Sequence, residues 1–199
     1  MHELLYAAVP AAGGAAFAAK VWWRQRLGAR LDLGTLPGAD GRRHSLADFP
    51  EARAFVVLFM SNKCPGVKAY DGRLRRLHAK WRGRVAFLGV NSANTAFHPD
   101  EGLEGMARAA QERDLPFPYL KDGDQSVARA FGAVCTPEVF VLDHRRRLRY
   151  QGRIDDAIVE SGARRRFLED ALEAIVGPRR HFRRLPPATV PLGCTLDYA

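Results

Sequence analysis

Residues 54–60, AFVVLFM, form an unbroken apolar run rich in β-branched and aromatic side chains. That is the pattern of a strand buried on both faces. Beyond it the apolar positions fall at Val67, Tyr70, Leu74, Leu77 and Trp81. Steps of three and four make one helical stripe, with the arginines on the opposite face. A second buried strand follows at 84–91, RVAFLGVN, and then a helix with Leu103, Met106, Ala107 and Ala110 inward. Strand, helix, strand, helix implies a parallel sheet covered on both sides.

The second half changes pattern. Residues 117–120 read as a short strand and 125–133 as a short helix, while 138–143 and 147–152 flank a tight HRR turn and predict an antiparallel hairpin. A last helix is expected from Ser161 to Val176, with Phe167, Leu168, Leu172, Ile175 and Val176 inward and Gly177-Pro178 ending it. Upstream, residues 31–49 read as two short extended pieces around a Pro-Gly/Asp-Gly turn, with Ser45 capping a brief helical turn. The tail from 179 to 199 has further prolines and no periodicity, so it is expected to hug the surface or move freely. The division is therefore an extension at 1–29, one α/β domain at 30–177 and a basic, Pro-containing tail at 178–199.

Charge adds two features. The chain of 199 residues carries a net charge of +9, concentrated at 65–84 and in RRHFRR at 179–184. No zinc-finger, RNA-recognition or helix-turn-helix pattern accompanies those clusters, so solvated helix faces are expected and nucleic acid is not. Residues 4–19 are uncharged and are followed by Lys20, Trp22, Trp23, Arg24 and Arg26. The run is short for a membrane span, which needs about 20 residues, and Glu3 makes a poor start for a signal peptide. If the segment inserts, positive charge behind it predicts a cytoplasmic domain with membrane contact through the segment; a mis-assigned start or an Ala-rich helix lying on the domain is an equal reading, and an extracytoplasmic location is the alternative.

Three cysteines, Cys64, Cys135 and Cys194, are too few and too far apart for a disulfide scaffold, so reactivity is the question they raise. Cys64 lies in SNKCPGVKAY, with Pro65 where a first helical turn accepts proline. At a helix start, backbone N–H groups and the helix dipole stabilise a thiolate, and Lys63 and Lys68 would push the same way. The bland alternative is a small buried side chain. Asp155-Asp156 reads as a helix N-terminal pair, and His44, His78, His98, His144 and His181 show no ligand spacing with a cysteine. No cofactor or metal is expected.

CPGVKAYDGRL, PFPYLKDGDQSVARAFGAVCTPEVFVLD, YQGRIDD and the terminal PLGC together resemble the thioredoxin-like redoxins, over residues 31–176 and the tail. The resemblance is to their peroxiredoxin-like branch, the alkyl hydroperoxide reductase/thiol-specific antioxidant type. It implies a thioredoxin-like fold, with a central mixed sheet flanked by helices, and thiol-based redox or antioxidant activity. It places Cys64 at the nucleophilic cysteine, with Val67 where a thioredoxin has its second cysteine. Ser61 stands for the peroxiredoxin threonine, Val57 replaces its proline, and Pro137 occupies the position of its arginine.

The same resemblance makes Thr136-Pro137 a cis-proline turn facing Cys64, with Ser61, Lys63, Pro65, Thr136 and Pro137 around the substrate. It brings Cys135 close enough to serve as resolving thiol, the alternative being a buried core cysteine. Cys194 is a further candidate, brought by the tail. The implied reaction is attack by Cys64 on a protein disulfide or hydroperoxide, with an external thiol as reductant. The competing class is a redoxin-fold binding module with a blunted site, docking on a membrane or an anionic partner.

Overall fold

The computed structural model describes residues 27–177 and 188–198. The N-terminal run at 4–19 and the basic cluster at 179–184 therefore lie outside the described residues. Among the described residues no helix is long and apolar enough to cross a membrane.

A small hairpin, β1 (Leu36–Pro37) with β2 (Arg43–His44), leads into the sheet. The main strands are β3 (Ala54–Phe59), β4 (Val85–Asn91), β5 (Tyr119–Lys121), β7 (Glu138–Asp143) and β8 (Leu148–Gly152). They stand in the order β5-β4-β3-β7-β8. β3, β4 and β5 are parallel, and β7 and β8 are added antiparallel. The sheet is mixed and the fold is thioredoxin-like. Its central strand is the apolar run read first, and every residue of β3 is buried.

Strand alternation divides the core into two. Ala54, Val56 and Leu58 pack with Leu74 and Trp81 of α2 (Asp71–Trp81), Met106 of α3 (Leu103–Glu112) and Leu168 and Leu172 of α5 (Phe167–Val176). Phe55, Val57 and Phe59 face the other way, onto Val127 and Phe131 of α4 (Ser126–Phe131). Phe59, Phe131 and Phe140 meet there edge to face, with centroids 5.3–5.7 Å apart.

Several expectations are corrected. The helix after Cys64 is two segments, α1 (Pro65–Ala69) and α2, joined at Tyr70. Arg73 does not sit on the solvent face: it turns inward to Asp155, which also accepts the Tyr70 hydroxyl at 2.8 Å. Asp155 is thus a buried clamp and not a helix-terminal residue, while Asp156 accepts the N–H groups of Arg164 and Arg165. Those contacts, with a short turn at Glu160–Gly162, hold 155–166 as a loop, so α5 begins six residues later than the periodicity predicts. Leu103 is 41% exposed, and the inner face of α3 is Gly105, Met106 and Ala109.

Candidate active site

The C-terminal edge of β3 delivers Cys64. Residues 61–63 leave the strand, and Cys64 takes extended angles (φ −71°, ψ 113°) as N-cap of α1, with Pro65 next in the first turn. Proline suits that position because its missing N–H would find no intrahelical partner there. The approach is held by Glu101, a buried carboxylate that accepts the N–H groups of Asn62 (2.8 Å) and Lys63 (3.1 Å) and the amide of Asn91 (2.6 Å). The sequence offers no periodic signal for this contact, since Glu101 reaches across from a single 3-10 turn, Pro99–Glu101, before α3.

The other wall is β6 (Cys135–Thr136) and the Thr136–Pro137 peptide, which is cis. Cys64 donates its S–H to the Thr136 carbonyl at 3.1 Å. Pro137 packs against the first turn of α1: a Cβ placed on Gly66 would lie 3.4 Å from Pro137 Cδ and 3.6 Å from Cys64 Sγ.

The tail completes the site. β9 (Cys194–Thr195) pairs antiparallel with β6, with Thr136 opposite Cys194 and Cys135 opposite Thr195. Cys194 Sγ comes within 2.9 Å of Cys64 Sγ, both thiols being free. This corrects the expected neighbour. Successive strand residues point to opposite faces, so Thr136 shares a face with Cys194 and Cys135 leaves β6 on the other, still near enough to feel the charges of Cys64 and Cys194. At this end the tail hugs the surface, the first of the two expected behaviours: Leu196 is buried and its N–H reaches the Val134 carbonyl at 3.0 Å.

The three thiols differ in acidity. Burial opposes ionisation of Cys64, but hydrogen bonds from the Cys194 thiol, the Thr136 side chain and the N–H groups of Val67 and Cys194 outweigh it, and its pKa falls below the ordinary value. Burial and the proton held against Cys64 push Cys194 up to about 12. Burial drives Cys135 well above the usual thiol range, with the Glu138 charge adding to it. Lys63 points away to Asp100 at 3.4 Å, so the depression at Cys64 comes from hydrogen bonds and not from that flanking cation. The arrangement suits one thiolate nucleophile beside one protonated thiol.

Ser61, Lys63, Cys64, Thr136 and Cys194 line one cleft of about 250 Å³, together with Asn94, Phe97 and His98. Pro65 is exposed at the helix start and is not part of that lining. Phe97, 74% exposed at the cleft, and Glu138 behind β6 carried no sequence signal that marked them. Glu138 is fully buried and accepts the Val134 N–H at 2.8 Å; burial raises its pKa to about 7. Among the described residues no group of three or more His, Cys, Asp or Glu side chains is arranged to hold a metal ion.

Comparison with known proteins agrees with this fold. The chain is similar to a hypothetical protein from Sinorhizobium meliloti 1021, at 35% identity over 87% of this chain and 95% of that one, with a TM-score of 0.77. An uncharacterized conserved protein from Geobacillus kaustophilus gives 30% identity over 87% and 93%, with a TM-score of 0.78. The peroxidoxin BcpB from Mycobacterium tuberculosis shares the fold, at 21% identity over 62% and 82% and a TM-score of 0.52. Comparison with curated proteins gave no match. The model of the Redoxin family matches residues 26–164, and the chain belongs to that family, with the thiol redox role it carries.

Proposed function

We propose that the protein is a two-thiol oxidoreductase in which Cys64 attacks a disulfide or hydroperoxide and Cys194 resolves the product. The observation that carries this is the 2.9 Å approach of the two sulfurs, one with a lowered and one with a raised pKa. With a hydroperoxide, the Cys64 thiolate takes the terminal oxygen, and the alkoxide leaves with a proton as alcohol. Cys64 becomes a sulfenic acid. Cys194 then attacks that sulfur; its proton and the departing hydroxide form water, and a Cys64–Cys194 disulfide remains. With a disulfide substrate, Cys64 forms a mixed disulfide and releases one thiolate, and Cys194 displaces the second. In either cycle an external dithiol reduces the Cys64–Cys194 bond and is itself oxidised.

Cys135 is assigned no step, because the sulfur in contact with Cys64 is that of Cys194. The reading is tested by mild oxidation of the full chain with one equivalent of hydrogen peroxide, followed by peptide mapping. A Cys64–Cys194 link with Cys135 still alkylatable is expected. A Cys64–Cys135 link, or intermolecular bonds alone, would overturn it.

A further inference from the structure

The tail does more than deliver a thiol. A polypeptide lying extended beside Cys64 needs an unpaired strand edge to bond with, and the edge beside Cys64 is β6. That edge is already paired along its length by β9. The pairing is extended by the Leu196 N–H to the Val134 carbonyl at 3.0 Å, by Gln125 Nε2 to the Asp197 carbonyl at 2.8 Å, and by the Tyr198 hydroxyl to the Ala133 carbonyl. The Leu196 side chain is 7% exposed and belongs to the core on the α4 side of the sheet. Upstream, Thr189 fastens the same segment to β8 and its exit: its N–H donates to the Gln151 carbonyl (3.1 Å) and its hydroxyl oxygen accepts the Arg153 N–H (2.8 Å). Between the two anchors the backbone runs so close over the cis-proline turn that a Cβ at Gly193 would overlap the Thr136 carbonyl. What stays open beside Cys64 is the cleft of about 250 Å³ walled by Ser61, Asn94, Phe97 and His98. That is below the usual size for drug-like ligands, about 300–1,000 Å³.

We propose that the segment from Gly193 to Asp197 is a strap that sets the substrate class of the Cys64 site, closing β6 to extended polypeptides and leaving access to small oxidants. The proposal rests on Cys64 being the redox nucleophile. A tethered strand competes with an external one at an effective concentration in the millimolar range, so an outside chain with micromolar affinity is held off. Gly193 and Leu196 are the residues on which the strap depends, one through close approach and the other through burial.

The test uses two probes with the same leaving group, the thionitropyridyl mixed disulfides of 2-mercaptoethanol and of a twelve-residue extended peptide carrying one cysteine. Both are reacted with the full chain bearing Cys135→Ala and Cys194→Ser, which keeps the strap backbone and leaves Cys64 as the one thiol, so that only attack by Cys64 is read. The small probe should react at least about tenfold faster than the peptide. Adding Gly193→Val should bring that ratio close to one. Leu196→Asp should do the same by a different route and serves if the first variant fails to fold, and hydrogen exchange at Leu196 or its replacement should rise in each. Equal rates for the two probes in the strapped form, or a ratio that neither variant changes, would overturn the strap while leaving Cys64 as nucleophile. A Cys64 inert toward both probes would sink the redox reading itself, and this proposal with it.

Discussion

Thr136 stands opposite Cys194 in the register of β6 and β9, and its carbonyl accepts the Cys64 S–H at 3.1 Å. One residue therefore addresses both thiols, and its neighbour Pro137 packs on the helix that Cys64 begins. The S–H to carbonyl bond favours protonated Cys64, whereas the donors from Cys194 and from Val67 favour the thiolate, and the donors prevail.

Removing the Cys194 donor should therefore make Cys64 less acidic. In Cys194→Ala the midpoint of Cys64 alkylation against pH is expected to move up by about one pH unit, the value of one charge-assisted hydrogen bond. Iodoacetamide labelling followed by mass spectrometry measures it. An unchanged midpoint would assign the depression to the Thr136 side chain and the N–H groups of Val67 and position 194.

Glu138 predicts a pH dependence of stability. Its carboxyl titrates near 4.5 when unfolded and is raised by burial to about 7 in the fold. Between those values the folded chain binds more proton than the unfolded one, so stability is greatest below about 4.5 and is lost as pH rises through about 7. The loss is at most about 3 kcal/mol. Glu138→Gln should remove this component: subtracting its urea stability from that of the native chain should give a difference that declines from pH 5 to 8. A flat difference would refute it.

The sheet was legible because its strands are runs such as 54–60 and 138–143 whose β-branched and aromatic content admits little else. Cys64 at the N-cap was legible for a local reason, the proline behind it. What escaped depends on distant contacts. Cys64 and Cys194 are 130 positions apart, and the tail is held by main-chain pairing and one buried leucine, neither of which leaves a periodic trace. Cys135 looked like the partner because it adjoins the turn, yet strand alternation beside Thr136 reverses its direction. Leu103 is exposed because the buried face of α3 runs through Gly105, Met106 and Ala109, and Arg73 turns inward to a partner, Asp155, that lies beyond seven intervening strands and helices.

That buried pair gives a prediction of its own. Arg73 and Asp155 are 7% and 3% exposed, and Arg73 also donates to the carbonyls of Ala157 and Ile158. Asp155→Ala would leave a guanidinium buried without its counter-charge and should cost about 3 kcal/mol or more. Arg73→Met with Asp155→Leu, which removes both charges, should recover much of it. Chemical denaturation of the three variants decides the matter, and a double variant no better than the single one would show that the loop at 157–158 needs the guanidinium as a donor.

Glu101 should govern how well Cys64 is aimed. Its two carboxylate oxygens take the N–H groups of Asn62 and Lys63, the two residues before the nucleophile, and the amide of Asn91 at the end of β4. Asn62 is fixed further by the Tyr119 hydroxyl at 3.0 Å and by the Asp100 carbonyl at 2.7 Å, so the loop belongs to one network that ties β3, β4 and β5 to the start of α1. Alanine at 101 would strand two backbone donors, those of Asn62 and Lys63, a loss of about 1–3 kcal/mol for each group left unpaired and buried. Glutamine keeps the shape and one acceptor oxygen, but brings an amide that faces a backbone N–H. The expected order of Cys64–Cys194 disulfide formation after a peroxide pulse is native chain, then Glu101→Gln, then Glu101→Ala, with about tenfold between the ends. The alkylation midpoint of Cys64 should move little, because the donors to its sulfur come from α1, β6 and β9. A midpoint that shifts in step with the rate would mean that Glu101 acts on the acidity of the thiol and not on its aim.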